Sequence, residues 1–514
     1  MADDITHYDA IEGYCEQLSY TAGDTVGLCV STEASSFDVT ISRWGGTREV
    51  VWSTEGVPGA AQPTPGTADA AGCGWEVGVE IPIDGSWRSG FYLIELEVAD
   101  APPDRRHGYA CFVVRSSTRR RGALFVLATN TWNAYNDWGG KSLYTGGNQV
   151  SFRRPFGRGM LVRPETDRDD RKARPRRHGE DPDVDGETYQ RYRYRHGYPG
   201  YMGSAGWFTY DRRFVEWAER AGIEFDFAVS SDLERVEGLT DGYDLVIGAG
   251  HDEYWSGAQR DAVERFVAAG GNYASFSGNT MFWQVRLVDD GAAMVCHKYS
   301  AHLDDPVAAD DPLSMTGMWC DPVVARPESR FLGASSMYGL YSRFGQATPR
   351  GVGGFVVYRD DHWMLAGTGL AYGDVVGSDD GVVGYETVGT RFTFDEVNLP
   401  IAIADPLLPA ASDVDIVAVT PSSNLAMGEY PKSIAALDDQ GDLEFIAERA
   451  FGGGPQAVAK ARHGNAVMLV CRPFGADAGQ VVTVGTTDWV FGLGDPQVGR
   501  VTRNVFDHLS RRDG

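Results

Sequence analysis

The chain has 514 residues, a formal net charge of −26 and 42% hydrophobic residues, with 13 Trp. That length asks for two or three domains rather than one core, and the apolar content excludes a disordered chain. The acidic balance speaks against a nucleic-acid or anionic-membrane partner.

The opening Met1-Ala2-Asp3-Asp4-Ile5-Thr6 has neither a basic n-region nor an apolar h-region, so no signal peptide is expected. No run approaches the roughly 18 apolar residues of a membrane helix. The cysteines (Cys15, Cys29, Cys73, Cys111, Cys296, Cys320 and Cys471) are odd in number, scattered and never spaced as C-x-x-C. They read as reduced, buried thiols of a cytoplasmic protein.

Residues 1–116 read as all-β. Val26, Leu28 and Val30 alternate with polar or small residues, as do Phe37, Val39 and Ile41, then Tyr92, Ile94, Leu96 and Val98, and finally Tyr109, Cys111 and Val113. Period-two spacing puts one face of each strand on a core, and an immunoglobulin-like β-sandwich is the expectation. Gly56–Gly74, rich in Pro, Gly and Ala, reads as a long loop. Arg119-Arg120-Arg121 reads as a solvated linker.

Residues 117–514 read as an α/β domain. Ala123–Leu127 is a short apolar run, the signature of a buried parallel strand. Residues 164–195, dense in Arg, Asp and Glu, read as a charged surface insertion. A helix is expected from Asp211 to Arg220, stopped by Gly222, then strands at Phe225–Val229 and Asp244–Gly248. Ser256 and Gln259 form a capping box for a helix that Gly270-Gly271 ends, before a strand at Tyr273–Ser277. Strand alternating with helix predicts a doubly wound parallel sheet. Residues 285–400 lack helical signals and read as a β-rich insertion. The sheet resumes at Val467–Val470 and Val481–Val484, and Val498, Val501, Val505 and Leu509 mark a last amphipathic helix.

The densest chemistry lies in Ala249-Gly250-His251-Asp252-Glu253-Tyr254-Trp255-Ser256, where a buried strand hands over to a helix. In open α/β sheets that carboxyl edge is where ligands bind. The chain has no H-E-x-x-H and no histidine cluster, so a zinc site of ordinary type is not expected. Gly351–Gly354 and Gly452-Gly453-Gly454 read as loops. Ser277 is a candidate nucleophile, but no G-x-S-x-G elbow surrounds it. Oxygen donors remain. Tyr210 and Tyr254 each sit past a junction on the same sheet edge, and a phenolate suits ferric iron. The bland alternative is two amphipathic tyrosines with satisfied hydroxyls.

The pattern of parallel strands with Gly-Gly before the next strand resembles glutamine-amidotransferase-like folds. Gly250–Ser256, Gly270-Gly271 with Ser277-Gly278-Asn279, Trp207–Trp217, Asn130-Thr131-Trp132-Asn133-Ala134-Tyr135-Asn136, Arg326-Pro327-Glu328, Gly384-Tyr385-Glu386 and Val484–Trp489 together resemble the N,N-dimethylformamidase large (beta) subunit family. The resemblance implies a mononuclear Fe(III) held by two tyrosines and a glutamate, and hydrolysis of a small amide. It matches Tyr254 and Tyr210 to the tyrosine ligands and leaves Glu328 and Glu386 as carboxylate candidates, with Glu328 favoured. It implies Glu386 or Glu253 as proton acceptor, and His251 or Asn279 as hydrogen-bond donor to the oxyanion. It also implies a small partner subunit; a homo-oligomer is the other possibility. Two rivals stand beside this reading: a metal-free binding or scaffold protein, carbohydrate-binding through its Trp residues, and a metal-independent hydrolase using Ser277.

Overall fold

A computed structural model describes residues 9–118, 122–164, 189, 191–339, 353–404, 414–426, 429 and 442–510. The Arg119-Arg120-Arg121 linker, most of the 164–195 charged insertion and the start of Gly351–Gly354 lie outside the described residues.

The N-terminal region is two facing β-sheets. Ile11–Cys15, Thr25–Thr32 and Val77–Pro82 form one antiparallel sheet. Ser19–Tyr20, His107–Val114, Gly90–Glu97, Ser36–Trp44 and Arg48–Pro58 form the other, in that order. Val26, Leu28, Val39, Ile41, Ile94 and Leu96 fill the space between them and are fully buried. Each such side chain contributes about 1.5–3 kcal/mol of hydrophobic stabilisation. The Gly56–Gly74 loop is shorter than expected, because Arg48–Pro58 runs on as strand and Ala68–Ala71 makes one helical turn.

Strands Gly90–Glu97 and His107–Val114 of the second sheet are buried on both faces, where alternation alone predicts one. Phe91, Leu93, Cys111 and Val113 point away from the sandwich into the α/β core. Phe91 stacks on Trp207 at 3.7 Å and 10°. Arg43 closes the junction with a two-pronged ion pair to Glu219 (2.6 and 3.1 Å).

Among the described residues the central sheet has nine strands. In chain order they are β1 (Ala123–Leu127), β2 (Phe225–Val229), β3 (Leu245–His251), β4 (Asn272–Gly278), β5 (Phe355–Val357), β6 (Val375–Val376), β7 (Val414–Ser423), β8 (His463–Cys471) and β9 (Val481–Val484). Across the sheet they run β2-β1-β3-β4-β9-β8-β7-β5-β6. The first five are mutually parallel and the rest pair antiparallel. β1, β3 and β9 are buried at every position, which explains their unbroken apolar runs.

Helix Arg212–Arg220 follows a single wide π turn at Trp207–Asp211. Helix Gly257–Ala268 carries both bonds of the Ser256/Gln259 capping box. Helix Pro496–Leu509 buries Val498, Val501, Val505 and Leu509. Residues 285–400 are less β-rich than expected. Short strands alternate with irregular chain and single helical turns, and Phe355–Val357 and Val375–Val376 extend the central sheet rather than forming a separate unit. Among the described residues no helix is long and apolar enough to cross a membrane. All seven cysteines are buried and unpaired.

Candidate active site

Four consecutive parallel strands deliver the site. β1 passes into the short helix Thr129–Tyr135, which is buried along its whole length. β3 ends at His251, with Asp252 and Glu253 next in the chain. β4 ends at Gly278, followed by Asn279, and β9 leads to Thr486 and Thr487. Strands that run parallel bring their carboxyl ends to one edge, so these segments converge.

Two glycines allow the approach. Gly250 has φ +74°, and a Cβ there would stand 2.3 Å from Tyr210 Cβ. The strand end can therefore kink and aim His251 only without a side chain. A Cβ on Gly278 would lie 2.1 Å from the Glu386 carbonyl and 2.5 Å from the Thr487 amide nitrogen. The backbone carrying Glu386 thus lies directly against the end of β4. Asn279 (φ +52°) and Tyr385 (φ +48°) adopt the left-handed conformation on either side of this contact. Such strain persists where the surrounding structure over-determines it, and it clusters at functional sites.

Glu253 is the hub. Tyr144 Oη donates to both its carboxylate oxygens (3.0 and 2.9 Å), and Tyr135 Oη donates to Oε2 (3.1 Å). The two phenol rings stack at 4.1 Å and 18°. Tyr254 Oη stands one step further out, donating to Tyr144 Oη at 2.8 Å. His251 Nδ1 lies 2.7 Å from the Ser204 carbonyl, which can only accept, so Nδ1 carries a proton. That leaves Nε2 facing Glu386 Oε2 at 2.7 Å and Glu253 Oε2 at 3.3 Å. Neither contact has hydrogen-bond geometry. Asn279 Nδ2 donates to Glu386 Oε2 at 3.1 Å, which fixes the amide orientation and leaves Oδ1 buried with no partner. His251, Glu253 and Glu386 place one donor atom each within 4.8 Å of one another.

Burial sets the charges. It penalises an imidazolium, but Glu386 and Glu253 outweigh it and hold the His251 pKa near 10. Burial pushes Glu253 up, yet its close contact with the positive charge of His251, with help from Lys298 and the Tyr144 hydrogen bond, brings it below the ordinary value. The Tyr144, Tyr210 and Tyr254 phenols are driven well above theirs by burial, and nearby carboxylates add to the effect. These hydroxyls keep their protons unless a strong positive charge sits at the oxygen. A metal ion supplies one, since it lowers the pKa of the group that binds it.

A narrow cavity of about 20 Å³ opens at the site. Its lining mixes polar groups, among them Tyr144, Glu253, Glu386 and Asp442, with apolar ones such as Phe282 and Phe445.

Of the residues singled out in the sequence, His251, Glu253, Asn279 and Glu386 are brought together. Tyr254 reaches Glu253 only through Tyr144. Tyr210 places its ring 6.3 Å from His251 and hydrogen-bonds the Thr487 side chain. Glu328 lies apart: Ser335 Oγ donates to it at 2.6 Å and the Ser336 amide at 3.0 Å, with Arg260 as its nearby charge. The ligand set expected from the resemblance, Tyr210, Tyr254 and Glu328, therefore does not converge on one point. The phenols that meet at a glutamate are those of Tyr135 and Tyr144. Ser277 bonds only hydroxyls, Thr280 Oγ1 at 2.5 Å and Ser275 Oγ at 3.4 Å, so no base stands ready to activate it.

Residues 37–503 match the family model described as N,N-dimethylformamidase beta subunit-like, C-terminal. The chain belongs to this family. A local match at 33% identity over 76 residues links it to the N,N-dimethylformamidase beta subunit of Paracoccus aminophilus, covering 15% of this chain and 10% of that protein. The beta subunit of Alcaligenes sp. matches at 32% over 78 residues, again 15% and 10%. The chain thus aligns with about a tenth of the length of these curated relatives. Membership in the dimethylformamidase-like family supports a hydrolase-like function.

Proposed function

We propose that the chain is an iron-dependent hydrolase of the C–N bond in small N-substituted amides, with one Fe(III) held by Tyr135, Tyr144 and Glu253. The supporting observation is the meeting of two phenol oxygens, from buried Tyr135 and half-buried Tyr144, on the buried carboxylate of Glu253. Two phenolates and a carboxylate are hard oxygen donors whose charges match a trivalent ion. A further orphan fits a polar guest: Asn279 Oδ1 is buried without a hydrogen bond, and buried polar groups are normally satisfied. When bound, the ion supplies Lewis acidity for an amide carbonyl or a water.

The other roles follow from position. Glu386, at the cavity wall, accepts the proton of the attacking water and returns it to the leaving amine. His251, held as imidazolium between the two carboxylates, offsets their mutual repulsion and turns an N–H toward the reacting atoms. Asn279 spends its amide donor on Glu386, so its part is to fix that carboxylate and offer Oδ1 as acceptor to water.

The same reading takes the parallel half of the central sheet as glutamine-amidotransferase-like and the sandwich as immunoglobulin-like, supported by strand order and the two-sheet core. It also takes a further subunit as partner, supported by the beta-subunit names of the relatives.

Elemental analysis and a visible spectrum of purified protein, followed by assay on formamides and acetamides with N-methyl groups, test the proposal. About one iron per chain, a phenolate-to-iron band and amine release are expected. Metal-free protein that still cleaves these amides would refute it.

A further inference from the structure

Lys298 is absent from the roles above, yet its placement is costly. It is 4% exposed and holds φ +52°, a conformation that disfavours a non-glycine residue. Its ammonium lies 3.2 Å from the centroid of the Tyr144 ring, with Tyr299 at 5.1 Å and Trp283 at 5.4 Å. A methionine would fill such an aromatic setting without burying a charge.

The backbone that aims it is pinned by a polar network. The Lys298 amide donates to the Thr316 carbonyl (3.0 Å), and the His297 amide to Thr316 Oγ1 (2.9 Å). Thr316 in turn donates from its amide and hydroxyl to Asp305 Oδ2 (2.8 and 2.7 Å). Arg286 grips both oxygens of Asp305 at 2.8 Å. Left-handed strain, burial and this brace together hold one positive charge on one phenol face.

We infer that Lys298 is a positioning residue that tunes Tyr144, its ammonium stabilising negative charge on that phenol and limiting the electron density the oxygen gives to a bound metal. A cation over an aromatic face is attracted to its π cloud, and the attraction grows when the ring carries phenolate charge. A less electron-rich phenolate leaves the metal it binds a stronger Lewis acid. Of the two stacked tyrosines, Tyr144 is the one on which this ammonium rests. The inference rests on the proposed function, since it takes Tyr144 as a ligand.

Lys298→Met removes the charge at similar length; Lys298→Arg keeps it. In iron-loaded protein, Lys298→Met should move the phenolate-to-iron band to longer wavelength, because the charge leaving the phenolate is no longer held back. Iron affinity should fall about tenfold, in the range for residues that support metal ligands. Lys298→Arg should restore the wild-type band and affinity, and circular dichroism should show both variants folded. A wild type without iron or a visible band would sink the proposed function itself. A wild type with the band, beside a folded Lys298→Met of identical band and iron affinity, would overturn the role of Lys298 alone.

Discussion

Between the sheets of the sandwich, the fully buried groups are Val39, Ile41, Ile94 and Leu96, and each touches apolar neighbours. At the carboxyl edge of the central sheet, equally buried groups are His251, Glu253, Asn279, Glu386, Tyr135 and Tyr254. The first arrangement stabilises the chain in proportion to area removed from water. The second costs stability, because carboxylates are stripped of water and repaid by one imidazole, one amide, a few phenols and the nearby Lys298 charge. A chain keeps such a cluster when it has a use for it, so the contrast marks this edge as the candidate site without reference to any relative.

Substitutions sharpen the contrast. Glu253→Gln should have the largest effect, abolishing iron binding and amide hydrolysis, as measured by metal content and amine release. Glu386→Gln should keep the metal and the visible band but lower kcat by about 10²–10⁴, the usual worth of a positioned acid–base group. Tyr254→Phe should keep iron and lower activity by about 10- to 100-fold, the range for a group that supports a ligand. In the sandwich the pattern should invert. Leu96→Ala should cost about 2–5 kcal/mol in denaturant unfolding while iron content per folded chain stays at the wild-type level.

The smallest effect concerns pH. Glu12 lies in the sandwich sheet and is 8% exposed; burial, then the charge of Asp9, raises its pKa to about 8 from 4.5. The folded chain therefore holds a proton that the unfolded chain releases between those values, and stability contributed by this group declines as pH rises from 4.5 to 8. Glu12→Gln should melt higher than wild type at pH 8.5 and close to it at pH 4. Equal melting differences at both pH values would show that Glu12 does not titrate in this window.

Much of the architecture was legible because its signals are local. Ala123–Leu127 and Val481–Val484 are unbroken apolar runs since both faces of those strands are covered. The Ser256/Gln259 box reads directly from spacing. The His251–Tyr254 turn was legible as a site for the same reason. Its partners were not. Tyr135 and Tyr144 lie 118 and 109 residues from Glu253, and Tyr144 sits in irregular chain with no periodicity to mark it. Tyr254 drew the ligand role from its place past the strand end and from the family resemblance. In extended chain, however, consecutive side chains point to opposite sides, so a neighbour of Glu253 cannot readily share its target. Glu328 carries no local sign that Ser335 and Ser336 take up its carboxylate. The β-rich reading of 285–400 rested on absent helical signals, and Gly- and Pro-rich chain is as often irregular as extended.

The most direct measurement is iron stoichiometry and visible absorption in four single variants: Tyr135→Phe, Tyr144→Phe, Tyr210→Phe and Tyr254→Phe. Loss of iron and colour in the first two, with both retained in the last two, is the result predicted by two phenols converging on Glu253. Iron kept by Tyr135→Phe and Tyr144→Phe but lost from Tyr210→Phe and Tyr254→Phe would contradict it.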